Sequence, residues 1–392
     1  MSDPGLRERL EHVAVPDPAG ARRRAWAVVA EAYGERPAPQ RAWRGPALAL
    51  AAAVVVAAVV AVALTPPGAA VAGWVRRALG DDAAPVPRSA LGPLPAPGRL
   101  LVTAGGQAWI VARDGTRTRL GPYTGATWSP HGLFVGAWRG RRLSAVAPDG
   151  RVAWSYLALG VVRDVRWSPD GYRIAYRSGH RLAVVAGDGT GARVLDATPR
   201  RAAPSWRPTE PHTLAWVARD GSVVVRDVDT GRLVWRSATA AGHALALSWS
   251  ADGRRILALE PHLLRVLDVH ARRQWRVAVP RGHRVRAAAW SPTGHRLAVV
   301  LGDGRGVSAV ILTGRVARGL PGRRVFVTSG VLDSVAWSPD GRRLLVGWRD
   351  ADEWLFLPAG GRGRRAAVAP LGRRFGGAPV VRGWCCTAQG GS

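Results

Sequence analysis

Acid, base and metal chemistry all need convergent carboxylates, histidines or thiols, and this sequence supplies few. Its 392 residues hold 27 acidic residues, nine histidines and two cysteines. Many of the carboxylates stand directly before glycine, as in Asp149-Gly150, Asp170-Gly171 and Asp340-Gly341. There they are expected to bond the backbone of a tight turn. Asp164 and Asp333 are free of such turns, and are the candidates for a paired-carboxylate hydrolase or lyase. His180, His243, His262, His270, His283 and His295 fall in separate segments without metal-ligand spacing, so no metal and no cofactor is expected. There is no G-x-S-x-G nucleophile elbow and no glycine-rich phosphate loop leading from a strand into a helix. Cys385 and Cys386 are adjacent. They can close a last strand as two small residues, bond to each other, or bond another chain. No catalytic residue is assigned, and the expected function is binding.

What could bind follows from charge. The chain carries 56 basic residues and a formal charge of +29, yet every basic residue is Arg, none is Lys, and Asn is absent. Lys and Asn use A/T-rich codons, so a GC-rich genome produces this bias with no nucleic-acid role; the charge is therefore discounted as a signal, and nucleic acid is not the expected partner. With 47% hydrophobic and 21% charged residues, the chain can bury a large core, and wholesale disorder is excluded.

The elements that must position any site repeat along the chain. Tryptophans head related motifs at Trp128 (WSPHG), Trp167 (WSPDG), Trp206 (WRPTE), Trp249 (WSADG), Trp290 (WSPTG) and Trp337 (WSPDG), while Trp384 (WCCTA) keeps only the Trp. Their spacings are 39, 39, 43, 41, 47 and 47 residues. A period near 40 built from short strands predicts four-stranded propeller blades. In each unit an apolar strand runs into Trp-Ser-Pro, Asp-Gly turns the chain, and further strands such as RIAYRS and LAVVAG follow. The Trp is expected to pack between blades. Three strands between Arg99 and Leu120 lack a Trp-headed partner, and PVVRGW at 379–384 supplies one with nothing after it. Joined, they make one blade. The predicted fold is an all-β, seven-bladed propeller closed by the C-terminal strand, since an open ring would leave unpaired edges.

The WSPDG repeats at this spacing resemble the TolB-like group of WD-repeat-like propellers, over about residues 99–387. The resemblance implies the fold and a binding platform. TolB itself is soluble with a separate N-terminal domain, and here a membrane anchor takes that place, so its system is not carried over.

Residues 46–64, PALALAAAVVVAAVVAVAL, are 19 positions without a charge. As a helix they span about 28 Å, close to the hydrocarbon thickness of about 30 Å. The sequence therefore predicts a single transmembrane helix ahead of the propeller. Arg36, Arg41 and Arg44 precede it and Arg76 and Arg77 follow, so the N-terminus is expected in the cytoplasm and the propeller outside. A leader cleaved after Ala70-Val71-Ala72 is the rival, opposed by its length of preceding chain. Residues 1–45 form a short, partly helical cytoplasmic tail that can lie on the membrane or dock a cytosolic partner. Residues 65–98, with five prolines from Pro85 to Pro97, form an extracytoplasmic spacer, and 99–392 form the propeller.

The first strand of each blade lines the channel. The residues four before each Trp are Thr124, Arg163, Ala202, Leu245, Arg286, Asp333 and Val380. A channel mouth holding Arg163, Asp164, Arg286 and Asp333 is the expected binding site, suited to a peptide end or an anionic group. The expected partner is a protein, peptide or envelope component outside the cytoplasm. The alternative is an envelope hydrolase or lyase working in the channel, which requires converging acid and base groups.

Overall fold

The Trp-Ser-Pro-Asp-Gly motif ends a strand and begins the next through its own hydrogen bonds. In the computed structural model, Ser168 Oγ donates to Asp170 Oδ1 at 2.5 Å and accepts the Arg173 backbone N–H at 2.9 Å. Ser250 bridges Asp252 and Arg255 at 2.5 and 3.0 Å, and Ser338 bridges Asp340 and Arg343 at 2.5 and 2.9 Å. The turn glycines Gly171, Gly253 and Gly341 take φ of 78°, 64° and 65°, which a side chain would oppose. The structure describes residues 91–386, apart from 242, 271–272, 294–295, 314–321 and 361–362. The tail, the apolar run 46–64 and the linker up to residue 90 lie outside the described residues. Among the described residues no helix is long and apolar enough to cross a membrane.

Seven four-stranded antiparallel sheets result. Blade 1 combines β1 (Arg99–Ala104), β2 (Gln107–Val111) and β3 (Arg117–Gly121) with β28 (Val380–Cys385), and blade 2 holds β4 (Gly125–Trp128), β5 (Val135–Arg139), β6 (Arg142–Val146) and β7 (Val152–Leu157). Blade 3 holds β8 (Val162–Trp167), β9 (Arg173–Ser178), β10 (Arg181–Ala186) and β11 (Arg193–Asp196), and blade 4 holds β12 (Ser205–Arg207), β13 (Glu210–Val217), β14 (Ser222–Asp227) and β15 (Leu233–Ala240). Blade 5 holds β16 (Ala246–Trp249), β17 (Arg255–Glu260), β18 (Leu263–Asp268) and β19 (Arg273–Ala278), and blade 6 holds β20 (His283–Trp290), β21 (Leu297–Asp303), β22 (Val307–Thr313) and β23 (Gly322–Ser329). Blade 7 holds β24 (Leu332–Trp337), β25 (Arg343–Trp348), β26 (Glu353–Pro358) and β27 (Ala366–Val368), followed by the single-turn helix α1 (Gly372–Phe375).

The first strands touch in order, β28 with β4, then β8, β12, β16, β20 and β24, and β24 touches β28 again. The ring therefore closes at seven, as the strand count predicts. β28 pairs antiparallel with β1 from Arg99↔Cys385 to Thr103↔Val380, so the chain's two ends share one sheet.

Burial departs from simple alternation. β9 and β10 are buried along nearly every residue, because each middle strand has a neighbouring blade on both faces. The outer strand β7 is exposed or half-buried along its whole length. The apolar clusters accordingly lie between blades. Leu100, Val102 and Trp384 of blade 1 pack with Leu345, Trp354 and Phe356 of blade 7, with Phe356 edge-on to Trp384 at 5.6 Å.

The motif tryptophans join blades in a second way. Trp206 donates its indole N–H to the carbonyl of Arg166 (2.9 Å), Trp249 to Ser205 (3.1 Å), Trp290 to Ser248 (3.2 Å) and Trp337 to Ala289 (2.9 Å). Each acceptor is the residue just before the preceding blade's Trp. The buried indole nitrogens of Trp128, Trp167 and Trp384 have no such partner. Arginines reinforce three seams. Arg99, Arg207 and Arg296 donate to the carbonyls of Gly132, Gly253 and Gly341 in the next blade at 2.8, 2.8 and 2.7 Å. The same guanidiniums lie 5.1, 5.3 and 5.0 Å from the ring centres of Trp128, Trp249 and Trp337.

Candidate binding site in the channel

The inner edge of the ring is irregular where it is charged. In β24, Leu332 pairs with Trp348 and Ser334 with Gly347, leaving Asp333 as the extra residue of a bulge. In β20 the same slip leaves Arg286 extra, and in β28 it leaves Arg382 extra. In β8 two residues, Asp164 and Val165, oppose the single Tyr176, and Asp164 takes a left-handed φ of 54°. A bulge frees one residue from the ladder and re-aims its side chain. Four of the seven first strands thus carry a re-aimed charge. Glycines make room for two of them. A Cβ at Gly347 would sit 2.7 Å from Asp333 Oδ1, and one at Gly302 would sit 3.0 Å from Arg286 Nε.

At the mouth, the two carboxylates are already engaged. Asp164 lies 3.7 Å from Arg177 Nη1. Asp333 accepts Arg349 Nε at 3.1 Å and the Ser334 hydroxyl at 3.1 Å. Arg177 is itself buried and donates to the carbonyls of Arg201 and Gly179, at 3.0 and 3.3 Å. Burial pulls the Arg177 pKa down, and Asp164 opposes that pull. Arg163 and Arg286 are exposed on the same rim.

Nearer the Trp end of the strands lie two arginines outside the expected set. Arg166 precedes Trp167 by one position and Arg382 precedes Trp384 by two. Burial lowers the pKa of Arg166, with Asp164 acting the other way. Burial also lowers that of Arg382, reinforced by the like charge of Arg166 and opposed by Asp333. Arg382 is nevertheless open to water, the combination expected of a side chain inside a water-filled channel. Asp164, Arg166, Arg382 and Asp333 thus form one electrostatic chain across blades 3, 1 and 7. Counting a fixed four residues back from Trp misses Arg166 and Arg382, because bulges change the inward positions from strand to strand. The signal available in sequence was an Arg within two residues before the motif Trp.

The seven motif tryptophans lie at the opposite, Trp end of the first strands, half-buried or buried. There Cys385 and Cys386 form a disulfide with each other. It packs on the next blade's turn, where a Cβ on Gly132 would meet both sulfurs at 3.5 and 3.2 Å. Cys386 also edges a cavity of about 630 Å³ shared with Pro93, Pro97, Arg99, Arg113 and Asp114. Among the described residues, no three of His, Cys, Asp and Glu gather as a metal site.

No family model matches the chain, and no curated protein matches it in sequence. Among solved structures it is similar to a chain of the Mitotic Checkpoint Complex, with 16% identity over 71% of this chain and 96% of that one, and a TM-score of 0.52. It is also similar to the β-propeller domain of Myceliophteria thermophila Cps50 (Swd1), with 14% identity over 62% and 85% and a TM-score of 0.48. At such identities the likeness is one of fold alone, and the seven four-stranded sheets make the chain a seven-bladed β-propeller.

Proposed function

We propose that this chain is a single-pass membrane protein that holds its propeller outside the cytoplasm as a non-catalytic platform for a protein, peptide or envelope component. The observation that carries the binding reading is the state of the channel-mouth carboxylates. A hydrolase of the paired-carboxylate kind needs two carboxyl groups facing one bond. Here Asp164 is held by Arg177 and Asp333 by Arg349, so the mouth offers alternating charges for recognition. Propellers of this kind host many unrelated functions, so the argument rests on the site and not on the fold. The membrane reading rests on the uncharged run 46–64 and the arginine excess before it. Residues 1–45 are then left inside, available to relay to a cytosolic partner.

Reporters fused before Ser2 and after Ser392 test the placement. Activity of the C-terminal reporter only outside, and of the N-terminal one only inside, is the expected result. A C-terminal reporter active in the cytoplasm overturns the placement and moves the search for partners there. Affinity capture with the full chain tests the platform. Recovery of an envelope protein that a charge-neutralised mouth (Arg163→Gln with Arg286→Gln) no longer retains is expected. Deleting residues 2–40 with no loss of any cytosolic co-purifying protein removes the relay.

A further inference from the structure

At the mouth end of blades 2 and 3, three segments meet: 139–142 (RGRR), 157–163 (LALGVVR) and 178–181 (SGHR). The middle one links β7 to β8 and is pinned on both sides. Ala158 N–H donates to Arg141 O (2.9 Å) and Val162 N–H to Gly140 O (2.7 Å). Arg141 Nε returns a bond to Ala158 O at 2.9 Å. On the blade 3 side, Gly160 N–H donates to Ser178 Oγ (2.7 Å) and Gly179 N–H to Val161 O (2.9 Å). The apolar side chains of this fixed loop stand in water. Leu157 is 63% exposed, Leu159 69% and Val161 45%. The same three segments carry Arg139, Arg141, Arg142, Arg163 and Arg181, and also His180. They hold no Asp or Glu, and Asp164, next in the chain, is answered by Arg177 at 3.7 Å. The result is an apolar knuckle ringed by cations with no acid among them.

We propose that this knuckle docks on an anionic lipid surface, with Leu157 and Leu159 entering the acyl boundary and the arginines holding the headgroups. The inference goes beyond the platform reading and does not rest on it, nor on the apolar run 46–64. The patch occupies blades 2 and 3, and leaves Arg286 and Asp333, on blades 6 and 7, open to a partner. Three features favour lipid over a protein. The leucines protrude, so a protein would need a matching pocket, whereas a fluid acyl boundary needs none. The N–H groups of Ala158, Gly160 and Val162 are already bonded within the propeller, so leaving water costs them no hydrogen bond. Arginine keeps its charge at an interface, with its stem beside lipid chains and its guanidinium on phosphate. Each cation near an anionic leaflet raises the docked-to-free ratio about fivefold.

The test places an environment-sensitive dye on Leu159→Cys in the full chain. Cys385 and Cys386 are bonded to each other and take no dye, and wild type carried through the labelling gives the blank. Detergent is removed in the presence of vesicles doped with a nitroxide lipid that quenches the dye on contact. One set is phosphatidylcholine alone, and the other a two-to-one mixture with anionic phosphatidylglycerol. Quenching is expected in the mixed vesicles and not in phosphatidylcholine. Arg139→Gln with Arg142→Gln should lower the docked-to-free ratio about 25-fold. Arg254→Gln, on an exposed turn at the opposite end, should leave it unchanged. Leu159→Asp, read from a dye on Leu157→Cys, should abolish quenching. All of these positions are exposed, and an unchanged thermal melt certifies that each variant folds. Equal quenching in the two vesicle sets overturns the proposal, as does quenching that survives either the arginine pair or Leu159→Asp. Quenching in neither set also overturns it, and assigns the patch to a protein. Any of these failures leaves the platform reading standing, because its own test reads captured protein and reporter placement.

Discussion

Ser338 carries more structure than its size suggests. Its hydroxyl ties Asp340 to the first residue of β25, so one atom holds both the turn and the start of the next strand. Ser338→Ala leaves the Arg343 backbone N–H unpartnered by a side chain and is expected to cost about 1–2 kcal/mol in a denaturant melt. Burial opposes ionisation of Asp340, but the Ser338 hydroxyl and the Arg342 backbone N–H outweigh it and hold the pKa below its usual 3.8. Asp220 goes further. The Ser222 hydroxyl, the Ser222 backbone N–H and Arg236 pull it down to about 2. A carboxyl with a lowered folded pKa contributes stability above its unfolded value, and loses it as pH falls through the folded one. The Asp220 contribution should therefore be complete above pH 3.8 and disappear as the pH approaches about 2. Thermal melts of Asp220→Asn, taken down that range, should show a smaller loss on acidification than the wild type. An identical acid slope would mean the turn carboxylate plays no part in it.

At the scale of the blade, the tryptophans sort into two groups. Trp337 spends its indole N–H on Ala289 of the preceding blade, while the buried indole of Trp384 has no acceptor. Trp337→Phe should then cost about 1 kcal/mol more than Trp384→Phe, where the substitution also removes an unsatisfied polar atom. Equal losses in paired melts would mean that ring packing, not the hydrogen bond, joins the seams. Arginine's exclusive use also gains a structural sense here. Arg99, Arg207 and Arg296 each stack on a tryptophan and bond a glycine carbonyl at once, which a lysine's point charge does less well. Codon bias can set the composition, and the seams use what it supplies.

At the scale of the molecule, closure depends on thirteen C-terminal residues. Without β28, the inner edge of β1 loses its partner and Trp384 no longer fills the space beside Phe356. Truncation after Pro379 is expected to yield aggregated or unfolded protein by gel filtration, because a bare strand edge and a bare apolar face appear together. A monodisperse, cooperatively melting truncation would show that six complete blades suffice to hold the ring.

The repeats determined the fold without help from the structure. Trp spacing near 40, the Ser-Pro-Asp-Gly turn and the unmatched strands at the two ends together predict a closed ring of seven blades, because each is a local rule with a fixed period, and the structure has seven. The degenerate unit at Trp206 shows the limit of that reading. Arg207 stands where five of the other units have Ser, and only the tertiary structure shows it reaching Gly253 and Trp249 of the next blade. The site was legible only in part for a similar reason. Counting four back from each Trp reaches Arg163, Arg286 and Asp333, although Arg286 and Asp333 are themselves the extra residues of bulges. It does not reach Arg166 and Arg382, because a single inserted residue shifts which side chains face inward. The sequence sets which charges exist and near which strand end, and the packing of seven first strands around one axis decides which of them meet.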